Sequence, residues 1–393
     1  MNVNISKKGE EKVINNYPWV YDSEITNYDS NISDGDIVTV LSSKNKYLGS
    51  AFYNSKSKIR LRMISRNTND KFDKDFFKRR IEYAFNYRVN LMTDMNAFRL
   101  IYGESDELPG LTVDVYNDIV VCQVLSLGIE KRLDLIIPSI YEVLTNNNIK
   151  VSGIYMRNDI EIRKKEGLEL YKGWFTGYSC DKCETIIGEN GLKYYVDFIN
   201  GQKTGFFLDQ KDNRMLVRKI AFNKNVLDCC THTGSFAMNA YLGKAKRVVA
   251  LDISSKALDD AKRNFDLNNI SLDTVCSDMF SYLEKINRGE YDLIILDPPS
   301  FAKNKNSIHN ALSGYTELNY LAMKKLNRGG FLVTASCSHF AKDNEYLDSI
   351  YKASIKASVK LKLVSHTGPS IDHPELIGFN ETNYLKFYIF QVF

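Results

Sequence analysis

The sequence predicts an α/β protein. Its carboxyl-terminal half reads as a doubly wound parallel sheet, preceded by a small β-barrel and a central α+β domain. Three observations carry this prediction. From about Leu192 onward, short apolar runs alternate with segments of helical period, as strands joined by helical crossovers do. Several of those runs end in Asp, at the rim where open α/β sheets bind ligands. Residues 1 to about 70 alternate apolar and polar side chains between turn signals, the mark of half-buried strands. The boundaries fall at 1–70, 72–190 and 191–393 in a chain of 393 residues, too long for one ordinary core.

In the first region, "DGDIVTVLSSKNKYLGSAFYN" is two apolar alternations around a Ser-Lys-Asn turn. In "KSKIRLRMISR", Lys56, Lys58, Arg60, Arg62 and Arg66 occupy alternate positions, with Ile59, Leu61 and Met63 between them. Strand side chains alternate faces, so the five cations are expected on one face. Like charges stacked along a strand repel unless an anion neutralises them, and a phosphate backbone fits that need.

The second region opens with a helix, "FDKDFFKRRIEYAFNYRVNLM", in which Phe72, Phe76, Phe77, Ile81, Ala84 and Phe85 recur at helical spacing. Strands come next around "LTVDVYNDIVVCQVL", then a helix near "KRLDLIIPSIYEVLT" and a strand at "VSGIYMRND".

The third region gives strands at "NVLDCC", "RVVALD", "DTVCSD", "YDLIILD" and "GGFLVTASCS", with helices at "SFAMNAYLGKA", "SKALDDAKRNFDLN" and "YTELNYLAMKKL". Pro298 and Pro299 stop the fourth strand, because neither has an N–H for the ladder, and they hold the next few residues in an extended arc.

Bulk properties narrow the class. Hydrophobic residues make up 44% of the chain and charged residues 25%, values of a globular protein. No apolar stretch approaches the roughly 18–20 residues of a membrane span, and "MNVNISKKGEEK" lacks a secretory core, so the expected location is the cytoplasm. Seven cysteines without an export signal argue against a disulfide framework. Cys180 and Cys183 have zinc-like spacing but no second pair, so no metal is expected. The net charge of +4 excludes little.

The chemistry concentrates at the rim. The first strand ends in "LDCCTHTGSF", with Asp228 at the strand end and Gly234 ahead of a helix, where a ligand can approach the backbone. Thr231, Thr233 and Gly234 of this loop are assigned to a cofactor, but G-x-G-x-x-G is absent, which counts against an NAD-dependent oxidoreductase. Asp252 ends the second strand, where an acid accepts hydrogen bonds from ribose hydroxyls. Asp278 and Met279 end the third, placed to meet an adenine, and Asp297 and Pro298 end the fourth. Four carboxylates repel a pyrophosphate but suit a ligand carrying an amine and a sulfonium, which selects S-adenosyl-L-methionine.

Cys337 ends the fifth strand at the same rim. Pyrimidine carbon 5 becomes nucleophilic once a thiolate adds to carbon 6, so a cysteine there fits cytosine-5 methylation. Asp297 is expected to hydrogen-bond the ring at nitrogen 3. Pro299 and Phe301 are expected to lie against a flipped base.

"GESDELPGLTVDVY", "NGQKTGFFLDQKDNR", "LDPPSFAK" and "SCS" together resemble the RlmI-like family of class I 23S rRNA cytosine-5 methyltransferases. The resemblance spans nearly the whole chain. It implies a PUA-like RNA-binding barrel, a central α+β domain and a Rossmann-like catalytic domain, with 23S rRNA as partner and self-association left open. It also implies that Phe207, Gln210 and Arg214 help close over the donor and that Cys337 takes the nucleophile's place. Many RNA cytosine-5 enzymes carry a second cysteine after the fourth-strand acid, but here residues 298 to 300 are Pro-Pro-Ser. Where relatives often show an aromatic before Thr-Gly, this chain has His232, read as filler. A guanine-N7 methyltransferase and a non-catalytic ribosome-assembly factor stand as the rival readings.

Overall fold

The computed structural model describes residues 1–302 and 304–393. The chain divides into two compact units. One comprises Met1–Gly188, Val196–Leu208 and Ile371–Thr382, the other Glu189–Tyr195, Asp209–Ser370 and Asn383–Phe393.

The first unit holds a six-stranded and a five-stranded sheet. In the six-stranded sheet, Val3, Ile5, Val20, Val38, Val40, Ala51 and Leu61 form a shared apolar core. Its strand Ile59–Ser65 is shorter than the basic alternation suggested, so Lys56 and Lys58 precede it and Arg66 comes after it. The helix Lys74–Leu91 starts where the Asp73 side chain accepts from the Phe76 N–H at 3.1 Å, and it buries Phe76, Phe77, Ile81, Ala84 and Phe85 as their spacing predicts. "LTVDVYNDIVVCQVL" is a hairpin of Leu111–Tyr116 and Ile119–Val124, turned at Asn117 with a φ of 56°.

The second unit is organised by a seven-stranded sheet. Its strands are labelled β1 (Asn225–Cys229), β2 (Arg247–Asp252), β3 (Asp273–Cys276), β4 (Leu293–Leu296), β5 (Phe331–Ser336), β6 (Leu361–Thr367) and β7 (Lys386–Val392). Their spatial order is β3-β2-β1-β4-β5-β7-β6. Strands β1 to β5 run parallel, and β7 is antiparallel to both β5 and β6. Sequence reading found the first five strands and missed β6 and β7. Strand β6 exposes Lys362, Leu363 and Val364, so it lacks the continuous apolar run that marks a buried strand.

Strand β4 is wholly apolar and buried, and β1 is buried from Val226 to Cys229, as parallel strands under helices must be. The strand order reverses between them, so the ends of β1 and β4 flank the crevice at the switch point.

Candidate active site

Asp228 lies within β1 and is fully buried. Its Oδ2 accepts from Thr231 Oγ1 at 2.6 Å and from the Ala237 N–H at 3.0 Å. Its Oδ1 is buried and has no hydrogen-bond partner among the described residues. Burial pushes the Asp228 carboxyl up to about 7. The bond from Thr231 opposes that rise, and the charges of Asp297 and Asp252 add to it.

The loop after β1 bends sharply. Cys230, His232 and Gly234 all have positive φ, at 60°, 51° and 80°. For the first two this is strained backbone, a condition that collects at functional sites. The glycine requirement at Gly234 differs from the expected one. Besides its φ, an added Cβ would sit 2.4 Å from Phe265 Cε1, so the helix carrying Phe265 demands the missing side chain. Thr231 is buried and Thr233 half-buried, and the Thr233 carbonyl accepts from Asn264 Nδ2 at 3.0 Å.

Asp252 ends β2. Its Oδ2 accepts from the His232 N–H at 3.0 Å and its Oδ1 from the Ser254 N–H at 2.9 Å, so loop and carboxylate position each other. Ile253 is next in the chain, 71% exposed. An apolar side chain held in water beside a ribose-type acid is suited to cover the face of a base. Sequence reading passed over it because a lone Ile after a strand carries no pattern.

Asp278 lies two residues past β3 and caps the helix Met279–Lys285, accepting from the Ser281 N–H at 3.0 Å. Met279 is buried, its sulfur 3.4 Å from Cys230 Sγ. The four rim acids do converge. Burial pushes the Cys230 thiol up, and Asp252, Asp297, Asp228 and Asp278 each add to the shift.

Asp297 comes directly after β4, and its Oδ2 accepts from Gln210 Nε2 at 3.1 Å. A directed chain stands behind that bond. Thr367 Oγ1 donates to Asn213 Oδ1 at 2.7 Å, and Asn213 Nδ2 donates to Gln210 Oε1 at 2.7 Å. The hydroxyl has one proton to give, which orients each amide in turn and leaves the Gln210 NH₂ facing Asp297. Gln210 thus acts on the fourth-strand acid, a partnership that 87 residues of separation hide from sequence reading.

Pro298 is buried and Pro299 exposed. The Phe301 ring stacks on Tyr315 at 4.5 Å and on Phe280 at 6.4 Å, so much of its surface already serves the core.

Cys337 comes directly after β5 and is half-buried. In the register of β4 and β5, Leu296 is level with Thr334, which makes Asp297 level with Ala335 and Cys337 two residues further along. Extended at strand spacing, the two Cα atoms would be roughly 8 Å apart. Tyr315 ties the two strand ends together. Its hydroxyl oxygen accepts from Ser336 Oγ at 3.0 Å and from the Phe301 N–H at 3.4 Å. Burial raises the Tyr315 phenol, and the charges of Cys337 and Asp297 both add to that rise.

The remaining expected residues have the following surroundings. Arg214 is buried, and its Nε and one terminal nitrogen hold both oxygens of Glu189, at 2.6 and 2.7 Å. That bidentate pair fixes the orientation of the guanidinium. Phe207 belongs to the first unit, with Lys203 Nζ 4.8 Å from its ring centre. The five-cation face is corrected. Arg62 is buried and ion-paired to Glu104 and Glu166, each at 3.0 Å, with its guanidinium 5.3 Å from the Trp19 ring. Arg66 bonds to Asn16 and to the Val13 carbonyl, and Arg60 donates to the Asn54 carbonyl at 3.3 Å. Lys56 and Lys58 are exposed. His232 is half-buried and held below its ordinary pKa by burial.

The residues present fit S-adenosyl-L-methionine. The buried, partnerless Asp228 Oδ1 can take an ammonium, Asp252 can take hydroxyls, and the acidic rim favours a cation. Among the described residues, no group of three or more His, Cys, Asp or Glu could hold a metal ion. No helix among them is long and apolar enough to cross a membrane.

Comparison with known proteins agrees with this geometry. Residues 3–66 match the family described as PUA-like domain, and residues 164–343 match the S-adenosylmethionine-dependent methyltransferase family. The chain is 36% identical over 384 residues to a Ribosomal RNA large subunit methyltransferase I of Pseudoalteromonas translucida, covering 96% of each chain. It is 35% identical over 389 residues to the protein of that name from Escherichia coli, covering 97% of each. Among solved structures, the fold is similar to that of SMU.776, solved in complex with SAH, at a TM-score of 0.84, 22% identity and 100% coverage of both chains.

Proposed function

The chain belongs to the ribosomal RNA large subunit methyltransferase I family, and on that premise we propose that it methylates carbon 5 of a cytosine in 23S rRNA, with Cys337 as nucleophile. It is an S-adenosylmethionine-dependent methyltransferase. The observation that carries the cytosine-5 reading is the joint hold of Tyr315 on the ends of β4 and β5, beside Asp297 and Cys337.

When bound, the donor supplies a methyl group on a sulfonium. The rim acids serve its binding. Asp228 receives the ammonium on its partnerless oxygen, and Asp252 receives the ribose hydroxyls. On the acceptor side, the Cys337 thiolate adds to carbon 6 of the cytosine, which places electron density on carbon 5. Asp297, oriented by Gln210, Asn213 and Thr367, holds the ring at nitrogen 3 and balances the developing charge. After methylation, loss of the carbon-5 proton expels the thiolate and restores the aromatic ring. Residues 298 to 300 supply no second cysteine after Asp297, so that proton leaves to water or to another base.

Incubation with labelled donor and large-subunit rRNA, followed by digestion to nucleosides, tests the reading. Label in 5-methylcytosine is expected. Label in 7-methylguanine overturns it, and so does full activity in C337S. Absence of both methyl transfer and thermal stabilisation by the donor would instead favour a non-catalytic RNA-binding role.

A further inference from the structure

We propose that Lys386 is a positioning residue for the nucleophile: its buried ammonium clamps the backbone just past Cys337 and favours the thiolate form of that sulfur. This rests on reading Cys337 as the nucleophile. Lys386 opens β7, the antiparallel strand of the sheet, and its register partner is Ser336, the residue before Cys337. The side chain is 2% exposed. Its Nζ donates to the Ser338 carbonyl at 2.6 Å and to the Tyr384 carbonyl at 3.0 Å.

Two features give this placement a purpose. A lysine stem is long enough to carry its ammonium to water, and burying the charge is costly. Here the stem instead turns the charge toward the turn that bears Cys337. The Ser338 carbonyl is also the first acceptor beyond the cysteine, so the bond to it fixes where β5 ends and where the sulfur stands.

The surroundings need such a cation. The Tyr315 phenol feels the charges of both Cys337 and Asp297, and a carboxylate in that neighbourhood disfavours a thiolate. Tyr384 carries the clamp's second carbonyl, donates its hydroxyl to Asp209 at 2.5 Å and stacks on His339 at 5.1 Å. Asp343, bonded to Tyr388 and His366, is a further acid, at the start of the helix that follows Cys337. Against these acids, a positive charge one residue beyond the cysteine lowers the pH at which the thiol ionises.

The test is the pH dependence of Cys337 alkylation by iodoacetamide in the full chain. The Cys337 peptide is quantified by mass spectrometry, so that Cys180, Cys183 and Cys276 do not interfere. K386M is expected to move the midpoint up by about one pH unit, from loss of the cation held on the Ser338 carbonyl. K386R, which keeps the charge, is expected to hold it within a few tenths of a unit. If K386M does not fold, K386Q keeps a donor for the carbonyls and decides by the same measurement. An unchanged midpoint in a folded, charge-free variant overturns the proposal, since a purely structural lysine would change melting temperature alone. Failure of the cytosine-5 reading would show separately, as full methylation by C337S whatever the midpoints.

Discussion

The strand Ile59–Ser65 and the rim of the β1–β5 sheet both gather like charges, and the fold treats them in opposite ways. On the basic strand, the most buried cation, Arg62, is neutralised from within by Glu104 and Glu166. At the rim, burial raises the Asp228 carboxyl and the Cys230 thiol, and the charges of neighbouring acids add to both rises. A like-charge cluster that serves the framework acquires counter-ions from the framework. The rim acids instead add to the rise of their buried neighbours Asp228 and Cys230. The pattern in the sequence is the same in both cases, and partners distant in the chain decide which it is.

The largest expected effect sharpens the rim's side of this contrast. C337A should lower methyl transfer by at least about 10³-fold, as loss of a covalent nucleophile does, with stabilisation by the donor unchanged. Next, R62M should behave as a framework mutation. Leaving Glu104 and Glu166 buried without their cation should cost about 3 kcal/mol, read as a fall in urea midpoint, with donor affinity intact. If R62M instead kept its midpoint and lost RNA affinity, the comparison would reverse.

D228N should weaken donor binding about 10- to 100-fold by calorimetry, the worth of a hydrogen bond to a charged group. The same carboxyl sets a pH dependence. Its folded-state pKa of about 7 lies above the ordinary carboxylate value, so the stability it contributes is complete at low pH and lost as pH rises through 7. The donor's ammonium prefers the ionised form. Donor affinity should therefore rise several-fold between pH 6 and 7.5, and D228N should flatten that rise. Smallest is the effect of K56E or K58E. Each should reduce the salt dependence of RNA binding by about one unit of slope, with the melting temperature unmoved.

Much of the fold was legible because local pattern and tertiary outcome agree. The Phe76–Phe85 spacing, the apolar run of β4 and the Pro-Pro stop each report what their own segment buries. Reading failed where an element's environment comes from elsewhere. Exposed β6 lacks an apolar run, Asp278 is a helix cap as well as a rim acid, and the pairing of Arg214 with Glu189 spans 25 residues of chain.

By itself, the sequence determined the chain order of the first five strands, an acid at or just past the carboxyl end of each of the first four, and a cysteine at the fifth. These depend on period and chain order, which neighbouring residues alone express. Tertiary structure decided which charges are neutralised, how Gln210 is turned toward Asp297, and that Tyr315 and Lys386 brace the turn around Cys337. The reason is physical. Hydrogen bonds and ion pairs are short-ranged and directional, so their partners are chosen by packing, and packing joins Thr367 to Asn213 across 154 residues of chain.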